Sequence, residues 1–276
     1  MPAFSPSGKQ FAGTARINAN SVLGGMIVIT ETATGTTKVV YKDEKRNLLA
    51  PQWSPDGAQI IFSVGEFPAF FDGFHKLFLK TEDRVEGGAR IAIINSDGTG
   101  YRELTGGSDN NAFPSFAPDG KRFVFRSFQK DGYGLRIMNL ETNAVTTLTG
   151  EYDNFPLWSP RGDLIMFSRL VDEAYEIFTI KPDGTSLKRL TSTHGNDAHM
   201  AWSPDGEYIA FASSRMGFKD EVTYTDAPQP YGEIFVMRYD GTGVEQLTDN
   251  QWEEGTPAWQ SDGSLALPKR RARLDR

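Results

Sequence analysis

Three features of the sequence indicate an all-β fold of the propeller type. A turn of the type Ser-Pro-Asp-Gly recurs along the chain, an aromatic residue precedes every copy, and a strand–turn–strand segment ending near Leu-Thr follows. Proline presets φ in a tight turn, glycine supplies a positive φ, and Asp-Gly between apolar runs favours a hairpin. Each copy therefore indicates one unit of four short antiparallel strands, a to d. Repeated units of this size are typical of propeller blades.

Six copies of the turn set the order of the units. They begin at Ser5, Ser54, Ala117, Ser159, Ser203 and Gln260, directly after Phe4, Trp53, Phe116, Trp158, Trp202 and Trp259. The units cover residues 1–46, 47–110, 111–153, 154–195 and 196–252, with a partial sixth unit at 253–276. We predict a single β-propeller domain over residues 1–276. A six-bladed ring with an incomplete last blade is favoured, and a five-bladed ring is the alternative.

Composition excludes several classes of function. The net charge of −7 argues against broad nucleic-acid binding, and the absence of cysteine excludes disulfides and thiolate chemistry. No apolar run reaches the length of a membrane span. The first residues, "MPAFSPSGKQ", do not have the pattern of a signal peptide. The compartment stays open between cytoplasmic, and secreted or periplasmic after removal of a leader.

Propeller topology separates the connections onto two faces. The d–a and b–c loops share one face, which we call the loop face, and the a–b and c–d turns share the other, the turn face. Because the turns are uniform, we expect binding on the variable loop face. Two long b–c insertions, at 65–89 and 214–233, are rich in aromatic residues. They suggest ligand contacts from Phe70, Phe71 and Lys219, with Tyr224 and Tyr231 as catalytic candidates; a lid that only seals the channel is the alternative.

The d–a loops repeat oxygen-bearing side chains at one distance ahead of the aromatic residue. These are Asn111, Asp153, Asp197 and Glu254, and two residues further on His199 takes the place of Phe113 and Phe155. A ring of hard oxygen donors predicts Ca²⁺ or Mg²⁺, and a nitrogen ligand from His199 would suit Mn²⁺. The alternative is that these side chains only cap loop backbone groups. No organic cofactor is expected.

Basic residues at the ends of the b strands predict a site for an anionic ligand. Arg126, Arg169 and Arg215 lie toward the loop face, where Glu253 adds a polar group. Guanidinium groups hold carboxylates through paired hydrogen bonds. Salt bridges between blades are the alternative role for the same arginines.

The repeat resembles that of the TolB-like β-propellers, in its aromatic-Ser-Pro-Asp-Gly turn and its Asp-Gly-Thr and Leu-Thr segments, over roughly residues 2–263. The resemblance implies a scaffold that hosts a periplasmic protein-binding module, propeller domains of serine peptidases and metal-containing polysaccharide lyases. The chain has no Gly-x-Ser-x-Gly motif, so a complete peptidase of that kind is excluded. A scaffold shared by so many functions does not select one of them.

Three functions follow as hypotheses. The first is a non-catalytic binding propeller for a small polar or saccharide ligand, or for a protein partner. The second is a metal-assisted polysaccharide lyase or glycoside hydrolase, with His199 as metal ligand or base and Tyr224 or Tyr231 as acid. The third and weakest is an isomerase or cyclase of a small metabolite.

Overall fold

The computed structural model describes residues 3–17, 24–65, 88–129, 132–217, 232–250, 252 and 254–266. These residues form strands joined by turns, and each blade is an antiparallel sheet whose strands neighbour one another in chain order. In the described part of the chain, no helix combines the length and apolar character that a membrane crossing requires.

Five sheets have four strands each. The first holds β1 (Ala3–Phe4), β2 (Gln10–Arg16), β3 (Gly25–Glu31) and β4 (Thr37–Asp43). The second holds β5 (Asn47–Trp53), β6 (Gln59–Gly65), β7 (Arg90–Asn95) and β8 (Arg102–Glu103). The third holds β9 (Asn110–Phe116), β10 (Arg122–Phe128), β11 (Leu135–Asn139) and β12 (Val145–Thr147). The fourth holds β13 (Asp153–Trp158), β14 (Ile165–Val171), β15 (Ala174–Ile180) and β16 (Lys188–Arg189). The fifth holds β17 (Asp197–Trp202), β18 (Tyr208–Ser213), β19 (Glu233–Arg238) and β20 (Glu245–Gln246).

The propeller prediction is confirmed, with the blade number of the five-bladed alternative. The favoured six-bladed ring is not confirmed, because the described part of the last unit forms only a two-stranded sheet, β21 (Ala258–Trp259) and β22 (Leu265–Ala266). Strand β21 contacts β1 and β17, so this small sheet lies between the fifth blade and the first. The innermost strands β1, β5, β9, β13, β17 and β21 therefore follow one another around the central channel.

The recurring turn residues have the structural role that the sequence indicates. Gly57, for example, has φ +71° and donates its backbone N–H to the carbonyl of Ser54 at 2.9 Å. The Ser54 hydroxyl donates to Asp56 at 2.6 Å, and Asp56 accepts the backbone N–H of Ala58 at 2.9 Å. The turn thus satisfies its own polar groups, which explains why the same residue types return in unit after unit.

The tryptophan before three of the turns joins neighbouring blades, whereas Trp158 donates to the carbonyl of Gly162 in its own turn at 3.3 Å. The indole of Trp53 donates to the carbonyl of Ala3 at 3.0 Å, and Trp202 donates to the carbonyl of Leu157 at 3.2 Å. Trp259 repeats the bond to Ala201 at 3.1 Å. Each of these three bonds links the innermost strand of one blade to that of the preceding blade, so the aromatic position is explained by packing and hydrogen bonding rather than by chemistry.

The Leu-Thr ending of the units has a similar explanation. The hydroxyls of Thr105, Thr149, Thr191 and Thr248 each accept a backbone N–H from strand c of their own blade, at 2.9–3.0 Å. These hydroxyls continue the hydrogen bonding along strand c beyond the end of the short outer strand d. Between the blades, apolar side chains of adjacent sheets pack together; Phe62, Phe123, Phe167 and Phe211 are among the largest fully buried.

Four innermost strands share a bulge that is relevant to the channel. The pairing with the next strand shifts register near the middle of β5, β9, β13 and β17. At each bulge one residue other than glycine has a positive φ: Ala50 at 50°, Phe113 at 55°, Phe155 at 51° and His199 at 54°. Such a conformation is unfavourable for a side chain with a Cβ, so the surrounding packing must hold it.

We expect Ala50→Gly to stabilise the protein by about 0.5–1 kcal/mol, because glycine adopts this φ without the clash of a Cβ. Chemical denaturation with urea measures the difference. Ala112→Gly is the matched control, since Ala112 is buried in the neighbouring innermost strand without a positive φ, and there we expect a loss of stability. Equal losses in both variants would contradict the explanation.

Candidate functional site: the central channel

The channel opens widely on the turn face. A cavity of about 490 Å³ lies there, lined by the innermost strands of all six units. The six aromatic residues that precede the turns contribute to its wall, together with Pro6, Pro55, Pro118, Pro160, Pro204 and Pro257. Gln52, Ser115 and Thr256 add polar groups, and Leu157 and Met200 add apolar ones. None of the described residues that line the cavity carries a charge.

Toward the loop face the channel narrows at the bulges. The rings of Phe113 and Phe155 lie 4.5 Å apart between centroids, and those of Phe155 and His199 lie 5.0 Å apart. A space of only about 10 Å³, enough for roughly one water molecule, lies among Ala50, Phe113, Phe155 and their neighbours. Gln52 and Leu157 line both this space and the larger cavity, so they mark the constriction between them.

His199 occupies the constriction as a neutral ring. Its side chain is buried, at 6% exposure, and burial lowers its pKa to about 3. An apolar site disfavours the charged imidazolium, so the imidazole is uncharged near pH 7. His199 thus continues the row of aromatic rings begun by Phe113 and Phe155, which is the position that its alignment with those residues predicts.

The aspartates of the predicted metal ring pair with arginines. Asp153 is fully buried and accepts from Nε and Nη2 of Arg169 at 2.6 and 2.9 Å. Asp197 accepts from Arg215 at 3.0 Å and also from Ser213 and Thr193. Burial raises the pKa of Asp197, and the bonds from Ser213 and Arg215 offset part of that rise.

The other two predicted ligands do not join them. Glu254 accepts from the amide of Asn250 at 2.7 Å, and the backbone of Asn111 donates to the carbonyl of Ala89 at 2.8 Å. No group of three metal-ligating side chains occurs among the residues that the structure describes. Among the described residues an adjacent guanidinium pairs with two of the carboxylates, Asp153 and Asp197. The metal site stays a prediction.

The three arginines predicted to bind an anion stand at three different positions of the repeat. Arg169 lies opposite Asp153 in the sheet. Arg126 lies opposite Ala112, so its equivalent in the fourth blade is Ser168, the residue before Arg169. Arg215 follows the end of β18, and the salt bridges of Arg169 and Arg215 run within a blade rather than between blades. They are not a repeated set, and only Arg126 has no ion pair with a described carboxylate.

Six predicted site residues lie outside the described residues. They are Phe70, Phe71, Lys219, Tyr224, Tyr231 and Glu253. Their roles as ligand contacts or catalytic groups stay predictions.

The cavity on the turn face was missed by the reasoning from sequence. Uniform turns indicated a face without function, yet these turns surround the wide end of the channel. One signal was available: the residue directly before each aromatic position varies, as Gln52, Ser115, Leu157 and Ala201, and never carries a charge. Alternation along an innermost strand places such residues toward the channel.

Comparisons with known proteins agree with this architecture. The family model for the TolB beta propeller domain matches residues 75–225, more than half of the chain. A TolB homolog of Chlorobium luteolum is 33% identical over 122 residues, which are 44% of this chain and 28% of that protein. The matched segment therefore spans well under half of that relative.

Two solved structures have the same fold. A TolB-like structure from Agrobacterium tumefaciens is 22% identical, with a TM-score of 0.71 over 96% of this chain and 87% of that one. An oligogalacturonate lyase in complex with manganese is 15% identical, with a TM-score of 0.63 over 99% of this chain and 71% of that one. At these identities the likeness is one of fold alone.

Proposed function

Because this chain belongs to the TolB β-propeller family, we propose that it is a non-catalytic binding propeller that takes an uncharged segment of a partner protein into the turn-face end of its channel. The observation that carries the proposal is the cavity of about 490 Å³ whose described wall holds no charged side chain. Its volume lies in the range of ordinary ligand sites, about 300–1,000 Å³.

The chemistry of the wall favours an extended, uncharged peptide. Proline rings and aromatic side chains surround the mouth, and surfaces of this kind accommodate extended proline-rich segments, which lose little entropy on binding. Aromatic residues also supply a large contact area in protein interfaces. A charged group would lose its hydration in this wall without gaining a partner, which is costly.

A polar side chain at the constriction can orient the bound segment through hydrogen bonds. The Gln52 amide, at the narrow end, offers both a donor and an acceptor, which suits the N–H and C=O of an extended backbone. The Ser115 hydroxyl already accepts the backbone N–H of Trp158 at 3.0 Å, so it has mainly its own proton left to offer. Gln52 is therefore the side chain that we assign to hydrogen bonding with the inserted segment.

A charge placed in the wall tests the proposal. We expect Ala201→Arg to weaken the binding of uncharged, proline-containing peptides at least tenfold, because Ala201 lines the cavity and arginine would have to be desolvated beside the peptide. Fluorescence anisotropy with labelled peptides measures the dissociation constant. Val244→Arg is the matched control: it adds the same charge to an exposed residue outside the cavity wall and should leave the affinity unchanged.

The same binding assay is repeated with other classes of ligand. Peptides with one acidic or basic residue at the centre, and neutral oligosaccharides, are expected to bind more weakly than the uncharged peptides. Equal affinity of Ala201→Arg and wild type would place the peptide elsewhere. Turnover of a uronate polymer in the presence of Mn²⁺ would overturn the non-catalytic part of the proposal.

A further inference from the structure

Arg126 is a buried cation between the third and fourth blades. Its side chain is on β10, with 2% of the residue exposed. The guanidinium carbon lies 4.3 Å from the ring centroid of Phe128 and 5.0 Å from that of Phe113, so one aromatic ring belongs to its own strand and the other to the constriction of the channel. Contacts with both rings favour a cation and hold the guanidinium in place.

The repeat shows that Arg126 is an exception. The register of the b strands puts Ser63, Ser168 and Ala212 at the same position in other blades. These residues are small, and the hydroxyl of Ser63 accepts the backbone N–H of Phe113 in the next blade at 2.9 Å. The fold thus needs no large basic side chain at this position, and packing alone does not account for the arginine.

The guanidinium has amide oxygens as its acceptors instead of a carboxylate. Nη2 donates to the side-chain oxygen of Asn110, and Nη1 lies 3.5 Å from that of Asn154. Nε is buried without a hydrogen bond. Among the described residues, Arg169 and Arg215 each have an aspartate, and Arg126 has none.

A buried cation without an anion is costly, so the presence of Arg126 points to a partner that the described residues do not supply. Burial lowers the pKa of Arg126 to about 10, so the group stays charged at pH 7. Tyr152 lies near the charge, and its ring is 4.8 Å from that of Phe128. These two half-buried aromatic residues cover the arginine at the loop-face end of the blade.

We propose that Arg126 is a binding site for a carboxylate or similar small oxyanion, reached from the loop face when the ring of Phe128 moves aside. The oxyanion takes the unpaired Nε–H and replaces the Asn110 amide on Nη2, which gives the paired geometry already formed by Asp153 on Arg169. This site is separate from the uncharged cavity on the turn face, and it does not depend on the function proposed for that cavity.

Acetate, with chloride at equal ionic strength as reference, is the first probe. We expect a saturable rise in the Tm of the wild type by about 3 °C, absent in Arg126→Met. In chloride alone, Arg126→Met should melt above the wild type, because the substitution removes an uncompensated charge and keeps much of the volume. Arg122→Met is the matched control, a half-buried arginine of the same strand that pairs with Asp119, and its response to acetate should equal that of the wild type.

Nitrogen-15 NMR of the arginine Nε–H groups gives a second readout that does not depend on the stability of a variant. One Nε–H signal, missing in Arg126→Lys, should shift on titration with acetate and saturate with the Tm. Phosphate is a parallel arm that distinguishes a phosphate ligand from a carboxylate. A wild type without a saturable response, or an equal loss of response in Arg122→Met, would overturn the proposal. Ala201→Arg should keep the response, so failure at the turn-face cavity is distinguishable from failure at Arg126.

Discussion

Asp197→Ala is expected to lower the free energy of unfolding by about 3 kcal/mol at pH 8. The substitution removes a fully buried carboxylate that accepts from Arg215 at 3.0 Å and from the hydroxyls of Ser213 and Thr193. The remaining guanidinium of Arg215 is only 18% exposed, so its charge would be left largely without water or a partner. Equilibrium denaturation with urea measures the loss.

A double-mutant cycle identifies the cause of that loss. If the ion pair is responsible, Arg215→Met combined with Asp197→Ala should destabilise less than the sum of the two single variants. Asp183→Ala is the matched control, because Asp183 is an exposed turn aspartate that accepts only from Thr185, and it should cost much less. If Asp197 were instead a metal ligand, a chelator would lower the Tm of the wild type and not that of Asp197→Ala.

His199→Phe is expected to remove a large part of the acid sensitivity of the protein. The folded state holds the pKa of His199 at about 3, against an ordinary value of 6.5. Between these values the unfolded chain binds a proton that the folded chain does not, so stability falls as the pH drops below 6.5. At pH 5 this amounts to about 2 kcal/mol.

Parallel denaturation curves at pH 7 and pH 5, with EDTA present, test this expectation. The difference between the two pH values should be about 2 kcal/mol smaller for His199→Phe than for the wild type. Phenylalanine is the appropriate replacement, because Phe113 and Phe155 occupy the same bulge position in other blades. His194→Phe controls for the loss of an exposed histidine and should follow the wild type. Identical pH dependence in all three proteins would falsify the buried, neutral state of His199.

The repeated turn shows how far the sequence alone predicts the fold. Proline, aspartate and glycine act within a few residues, so the a–b turn of each unit can be predicted without knowledge of the rest of the chain. The aromatic and Leu-Thr positions are also recognisable, although their bonds to a neighbouring blade or strand appear only in the structure. The number of complete blades cannot be read from the turn motif, since the last described unit has the turn and forms only two strands.

The candidate site was predicted in part. The alignment of His199 with Phe113 and Phe155 correctly indicated a shared position, because all three occur at the same bulge. The same alignment predicts a ring of metal ligands that includes Asp153 and Asp197, and this stays a prediction. What the alignment did not indicate is that each of these carboxylates pairs with an arginine of its own blade. Sequence spacing identifies the level of a side chain along a strand and does not identify its partner.

The propeller of repeated antiparallel units can be predicted from the amino-acid sequence, because turn chemistry and alternation act over short distances. The pairing of the arginines and the widening of the channel among the turns became visible only in three dimensions. Both properties depend on side chains that are far apart in the chain, such as Arg126 and Asn154, or on the way in which six units meet around one axis. Contacts between units are set by packing in three dimensions, and a repeat pattern does not encode them position by position.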